Sequence, residues 1–476
     1  MSNPRLKDLR GPARRNFIRW VGAAGAAVAL ERSKLLNFLL DEGGEAIAQP
    51  AACATTNRSV HLVGGNGSFA WFQLLWPHVD VAKANDPSFA WHAMGEGFEH
   101  LGGDKPFYYG PEAPWQQGGI PSRPVTAYMA GANETHTQTP TTAAMVTSGT
   151  SMTATVASIQ RATASLLPVI GVVPANLGVA PGAPSIATVP NAQGMVELFN
   201  SAASQAALAD PENRELYETY YKAIIGLRAG SGRATWAKQL DITKTAVNLV
   251  GRNLAGELTP LQEDLDAYKI TEMLASTISQ AAKDRLVNLG RALITTKKAM
   301  TQGLTNSVII GLSPGATSET SFTDPHPMFN DMVNLRLTAY HLGQMLDAFY
   351  LDLANAPDPA CVESNLSETV IFTVHGDTPH TPLQRDAWPD ATPGNSNWLY
   401  VMGNGYLKNG WFGGVRADGT VDGFNPTTGE NMPGQPAANT SNAAGAAVAY
   451  AVAKGNLTKV KEYYTGPEIT ALIDPP

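Results

Sequence analysis

The chain has 476 residues, of which 43% are apolar and 16% charged, and its net charge is -8. That length suits one large α/β domain with insertions or two ordinary domains. The acidic balance and the lack of a clustered basic face exclude a nucleic-acid footprint, and abundant Gly, Ala, Thr, Asn and Pro point to a loop-rich globular protein.

The one concentrated basic segment is the N-terminus, where Arg5, Lys7, Arg10, Arg14, Arg15 and Arg19 precede a weakly apolar run from Trp20 to Leu30. This is the layout of an export signal. Arg14-Arg15-Asn16-Phe17-Ile18-Arg19 resembles the twin-arginine motif, and an Ala/Gly-rich core fits that route. A single span needs about 20 apolar residues. The run is much shorter, so no stable membrane span is expected once the signal is removed. Residues 1–48 are read as signal and linker, with cleavage after Ala46-Ile47-Ala48, and the mature chain as periplasmic or secreted. The two cysteines, Cys53 and Cys361, are read as structural; the sequence leaves open whether they pair.

From residue 49 onward the pattern is that of a single α/β domain. Ser59-Val60-His61-Leu62-Val63 predicts a first strand, followed by a turn at Gly64-Gly65-Asn66-Gly67-Ser68. Residues 69–124, rich in aromatics, Gly and Pro, read as ordered loops. A short strand is expected from Pro124 to Met129, then a loop carrying Thr135 and His136, then a small-residue helical segment over 141–167. Another strand follows at Leu167 to Pro174, then a Gly/Pro/Ala loop over 176–190, and a helical insertion over about 192–304.

Ser307 to Leu312 predicts a strand whose loop ends in Asp324-Pro325-His326-Pro327. Met328, Met332, Leu335, Leu342, Met345, Phe349 and Leu353 recur at three- and four-residue steps, which predicts a long amphipathic helix. It feeds the β-branched run Thr369 to Val374, a buried strand. A polar burst containing His375, Asp377, His380, Asp386 and Asp390 then follows, broken by prolines. The order strand, Asp/His loop, helix, strand, Asp/His loop predicts a βαβ unit with both loops at one sheet edge. That is where an open α/β sheet places ligands. Beyond it, Trp398 to Met402 reads as a strand, Gly403-Asn404-Gly405 as a turn, residues 443–454 as a closing helix, and the remainder as an exposed tail.

Two Asp/His loops converging at one edge suit a divalent metal, zinc, manganese or calcium, because carboxylate oxygens and imidazole nitrogens serve these ions in different proportions. Asp324, His326, His375, Asp377 and Asp386 are the candidate ligands. Solvated acidic loops and turn aspartates are the plain alternative.

The same residues carry a family resemblance. Asp324-Pro325-His326 resembles the Asp-Thr-His loop, and Gly376-Asp377-Thr378-Pro379 the Phe-Gly-Arg-Thr-Pro loop, of an exported bacterial family (domain of unknown function fifteen-oh-one) within the alkaline phosphatase and sulfatase superfamily. Arg385-Asp386-Ala387-Trp388-Pro389 is similar to its Gly-Arg-Asp-His-Trp-Pro motif. Val401-Met402-Gly403-Asn404-Gly405 with Lys408-Asn409-Gly410 is similar to its glycine-rich motif. The resemblance implies an alkaline phosphatase/sulfatase-like fold, with a mostly parallel central sheet, helices on both faces and a helical insertion. It also implies a metal-assisted hydrolase acting on small phosphate or sulfate esters.

In that superfamily a Ser or Thr near a helix start is the nucleophile; Thr135, Ser68 and Thr378 are candidates here, and Thr135 beside His136 is preferred. The departures are chemical. The family's Glu falls on Val374, its Arg on Asp377, and the His of its Asp-His pair on Ala387, while Asn66 stands near the place of an acidic residue. They motivate a second reading, an exported scaffold or binding protein with a degenerate site and an unknown protein partner.

Overall fold

The computed structural model describes residues 53–63, 75–76, 99–100, 105–109, 123–131, 144–163, 165–172, 177–200, 211, 253–311, 332–375, 396–415, 421–433 and 440–476. Chain contacts divide it into two units. The larger holds 50–163, 167–195 and 260–476; the smaller holds 1–49, 164–166 and 196–259. The expected helical block over 192–304 is thus divided at 195/196 and 259/260, and residues 192–195 and 260–304 belong to the larger unit. Within the smaller unit the described helix is Leu254–Leu258, capped by Asn253.

The β-branched runs form an eight-stranded sheet in the larger unit. In chain order its strands are β1 (Arg58–Val63), β2 (Thr126–Gly131), β3 (Leu167–Val172), β4 (Ile186–Val189), β5 (Thr305–Gly311), β6 (Val370–His375), β7 (Ser396–Met402) and β8 (Gly410–Phe412). Their order across the sheet is β8-β2-β7-β6-β1-β5-β3-β4. The block β6-β1-β5-β3-β4 is parallel throughout. β7 alone runs against the rest, pairing antiparallel with β6 and β2, and β8 returns parallel to β2. The chain is therefore an α/β protein with a mostly parallel sheet. β4 corrects the expectation that 176–190 is all loop: Ile186, Thr188 and Val189 are β-branched, and their strand closes one edge.

A parallel sheet must be covered on both faces, and alternation along β6 shows how. Phe372 meets Tyr350 and Phe349 of the helix Met332–Ala354 at ring-centroid distances of 5.5 and 6.2 Å. Ile371, one residue earlier and so on the opposite face, lies in the cluster built on the helix Ser441–Val452. The helices are α1 (Met152–Gln160), α2 (Gln262–Ala267), α3 (Gln280–Thr301), α4 (Met332–Ala354) and α5 (Ser441–Val452). The amphipathic helix expected from Met328 is α4, described from Met332. The segment expected to be helical over 141–167 is helical only as α1, because Ser151 caps it and a two-stranded ribbon precedes it.

α5 is buried on nearly every side, and its row of alanines lets it lie close to its neighbours. Gly445 faces the strand Met145–Thr147 so closely that a Cβ there would stand 2.1 Å from the Met145 carbonyl oxygen. The residues beyond α5 correct the expected exposed tail. Val460, Ile469, Leu472 and Ile473 are buried in the α5 cluster, and the Leu472 carbonyl accepts the Lys408 amide at 3.1 Å. Apolar side chains here gain more from covering the sheet end than from solvent freedom.

At the start of β1 the chain buries a charge. Arg58 is 2% exposed and Asp358 3%. The guanidinium donates to Asp358 Oδ1 from Nε at 3.3 Å and from Nη2 at 3.1 Å. Nη1 donates to the Thr305 carbonyl at 2.9 Å and Asn306 Oδ1 at 2.6 Å. Gln160 extends the network by donating to the Asn57 carbonyl at 2.9 Å and Ser59 Oγ at 3.1 Å. Cys53 and Cys361 are joined by a disulfide spanning 308 residues.

Removing the Asp358 carboxylate strands a buried cation. Asp358→Ala is expected to lower unfolding stability by about 3–5 kcal/mol in urea titrations; a loss below about 1 kcal/mol would show that Thr305 and Asn306 hold Arg58 unaided.

A second prediction concerns His341 of α4, which is 4% exposed. Its Nδ1 lies 3.1 Å from Gln344 Oε1, and among the described residues its Nε2 has no hydrogen-bond partner. Burial holds the imidazole below its ordinary value near 6.5, against upward pulls from Gln344 and Glu272 and with a smaller downward push from Lys283. The unfolded chain therefore takes up the proton more readily. Stability from this site is complete above about pH 6.5 and falls as pH drops through the folded-state value. Urea midpoints between pH 7.5 and 5 are expected to fall more for the native chain than for His341→Gln; equal slopes would remove His341 as the cause.

Candidate functional site

The parallel strands end together. Val63 is in register with Gly311 on one side and with His375 on the other. Neighbouring strands lie about 4.8 Å apart, so the backbones of Gly311 and His375 flank Val63 within about 10 Å of each other. β2 ends at Gly131 opposite Ser396, where β7 begins. The segments that follow Val63, Gly131, Gly311 and His375 accordingly start from one edge, the carboxyl edge of the sheet. This juxtaposition is the strongest functional feature of the fold, because open α/β sheets bind ligands just outside that edge.

Of the sequence-predicted site residues, His375 is the last residue of β6, and its backbone pairs with Val63. Thr135, His136, Asp324, His326, Asp377 and Asp386 lie outside the described residues, as do Asn66, Ser68, Thr378 and Ala387. Val374, where the resembled family has Glu, is a core residue 1% exposed, in register with Leu62 and Tyr400. Among the described residues no three or more His, Cys, Asp or Glu side chains are grouped to hold a metal ion.

What the structure does describe at this edge is the entry of α1. Ser151 Oγ accepts the Ala154 amide at 3.3 Å and donates to the Leu177 carbonyl at 2.8 Å. Thr153 Oγ1 donates to the same carbonyl at 2.9 Å. Ala154 packs with Val63 and Leu177 in one cluster. The helix start therefore sits beside the end of the central strand, with its partial positive charge at the carboxyl edge. Both hydroxyls are committed to the cap and the Leu177 carbonyl, which suits support of the site rather than attack on a substrate.

Beneath the edge, the face of β1 toward α1 carries buried polar groups that sequence reading passed over. Ser59 Oγ lies 3.0 Å from Ser307 Oγ, and His61 Nδ1 lies 2.7 Å from Thr373 Oγ1. Strand alternation puts Ser59, His61 and Val63 on one face. That signal was available in the sequence. The partners Ser307 and Thr373, contributed by β5 and β6, became visible only through the register.

Two clefts among the described residues lie elsewhere. One, about 590 Å³, is lined by helix residues including Asp264, Tyr268, Asp347 and Asp352. Its groups are already paired: Tyr268 donates to Asp352 at 2.9 Å, Lys297 meets Asp352 at 2.8 Å, and Lys298 meets Asp264 at 2.6 Å. Burial, and then the Asp352 charge, raise the Tyr268 phenol well above its ordinary value, so it stays a donor. The other, about 630 Å³, lies where β8 begins and includes Lys105, Lys408, Trp411 and Glu430. Burial lowers the pKa of the Lys105 ammonium, which donates to the Gly429 carbonyl at 2.9 Å and sits over Phe412 and Trp411.

No family model, no curated protein and no solved structure matches the chain. Among the described residues no helix is long and apolar enough to cross a membrane.

The α1 entry is testable by removing its cap. Ser151→Ala is expected to cost about 1–2 kcal/mol of unfolding stability, because it deletes the cap and the bond to Leu177 together. Urea unfolding of the purified variant measures it, and an unchanged midpoint would mean that Thr153 alone fixes the entry.

Proposed function

We propose that the chain is an exported, metal-assisted hydrolase of the alkaline phosphatase/sulfatase type, acting on small phosphate or sulfate esters. The observation that supports this reading is the common carboxyl edge: the segments bearing Thr135 and His136, Asp324 and His326, and Asp377 and Asp386 each follow a strand that ends there. His375 stands at that edge itself.

The donor set is chemically suited to a divalent cation. Three carboxylates and two imidazoles provide oxygen and nitrogen ligands for zinc or manganese, and oxygen-rich subsets suit calcium. Asp324 and His326 would hold one ion, while His375, Asp377 and Asp386 hold a second or form a remodelled site. An ion bound there would polarise a phosphoryl or sulfuryl oxygen and lower the pKa of a bound hydroxyl. Thr135 is the proposed nucleophile. His136 next to it is the proposed group for moving its proton at neutral pH.

A second reading rests on Val374. Its burial places a hydrocarbon where the resembled family has Glu, and Ala387 stands where that family has the His of its Asp-His ligand pair. On that reading the exported protein keeps the sheet as a scaffold and binds a protein partner.

Elemental analysis of protein purified from the periplasm without chelating resin separates the two. The hydrolase reading expects stoichiometric zinc, manganese or calcium, lost in Asp324→Ala and His326→Ala, and turnover on a panel of phosphate and sulfate esters. Full metal content in Asp324→Ala removes that residue as a ligand. A folded protein that is metal-free and inert on the panel selects the scaffold.

A further inference from the structure

We infer that the Cys53–Cys361 disulfide is a late latch, closed on a fold that noncovalent contacts have already completed, rather than a bond the fold depends on. The cysteines are 308 residues apart in sequence. Chance encounter across so long a loop is entropically costly in an unfolded chain.

In the folded chain, contacts on both sides bring them together. On the Cys53 side, the Ala54 amide donates to the Ala360 carbonyl at 2.9 Å, and the Asn57 amide to the Val452 carbonyl at 2.8 Å. Thr56 Oγ1 lies 2.5 Å from Thr163 Oγ1, and Asn57 Nδ2 donates to the Ala451 carbonyl at 2.8 Å. On the Cys361 side, Pro357–Asp358 pairs with Cys361–Asn365, and the Ala360 amide donates to Asp358 Oδ1 at 2.8 Å. The Arg58 to Asp358 ion pair joins the two sides. These contacts require β1, β5 and α5 to be in place, so the thiols meet only after the sheet has formed.

The two cysteines differ in exposure. Cys53 is exposed and Cys361 buried, so exchange enters at Cys53. With glutathione disulfide as oxidant, the Cys53 thiolate attacks one sulfur, forms a mixed disulfide and releases one glutathione thiolate. The Cys361 thiolate then displaces the second glutathione and closes the protein disulfide. Two protein thiols are oxidised as one glutathione disulfide becomes two glutathiones. On the export reading proposed above, closure at the exposed Cys53 beside an already assembled sheet lets the reduced chain fold first and be locked in an oxidising compartment.

The test treats the folded protein with dithiothreitol, which becomes its cyclic disulfide as Cys53 and Cys361 return to thiols, and follows near-ultraviolet circular dichroism and amide exchange. The latch predicts an unchanged near-ultraviolet spectrum and unchanged protection of the Arg58–Val63 and Thr305–Gly311 amides. It also predicts exchange at Ala54 accelerated by about tenfold or more. Urea-unfolded reduced protein is expected to refold to the same spectrum without oxidant, and glutathione disulfide added afterwards to modify Cys53 before the bond closes. Loss of the near-ultraviolet spectrum on reduction, or refolding only after oxidation, overturns the proposal. So does a Cys53→Ser/Cys361→Ser double variant that fails to fold.

Discussion

A positive charge is buried at the start of the central strand with almost no access to water. Arg58 opens the central strand with its guanidinium buried. Desolvating it costs several kcal/mol unless its donors are satisfied in good geometry. The chain meets that cost with acceptors from three places: the Asp358 carboxylate, the Thr305 carbonyl and the Asn306 side chain. Because Thr305 and Asn306 begin β5, satisfying Arg58 also sets β5 beside β1 at their shared amino end. A one-residue slip of that pairing would take the acceptors from the donors and turn the apolar faces of both strands around.

This constraint divides the two edges of the sheet. The amino edge is held by the Arg58 network, Gln160, the packed C-terminal residues and the disulfide. The carboxyl edge is the end from which the candidate-bearing segments depart, and among the described residues the entry of α1 is fixed there through Ser151 and Thr153 to the Leu177 carbonyl. Pinning one end of parallel strands fixes their relative register along the whole length, so the other end is positioned as well.

The sequence was informative wherever structure follows local periodicity. Val60 to Val63, Val308 to Ile310 and Ile371 to Val374 are apolar runs too short for helices, and all became strands of the parallel block. Met332 to Leu353 recurs at helical steps and became α4. Sequence reading failed where partners are remote. Nothing near Arg58 announces Asp358, 300 residues on, and nothing near Ile473 announces the bridge to Leu407. Ile186–Val189 was hidden for another reason: an edge strand between Gly/Pro-rich loops lacks the length that separates strand from loop by pattern. The candidate ligands lie in Pro- and Gly-punctuated segments with no period at all. Their residue types suggested chemistry, and only the strand ends before them gained positions.

Val374 shows how closely the chemistry of such an edge is tied to strand alternation. It shares parity with Phe372, whose ring packs on Tyr350 of α4, so its side chain belongs to the hydrophobic face. A carboxylate at that position would sit against an aromatic layer, where the charged form is disfavoured unless a cation is held beside it. With valine there, the strand needs no such cation and its last buried turn is ordinary core. Any ligand chemistry at this edge must then begin beyond Val374, in the segment where His375, Asp377 and Asp386 are clustered in the sequence. A valine that keeps the end of the strand apolar and a run of His and Asp that begins only beyond it put the polar chemistry of this edge outside the sheet, in the segment that follows it.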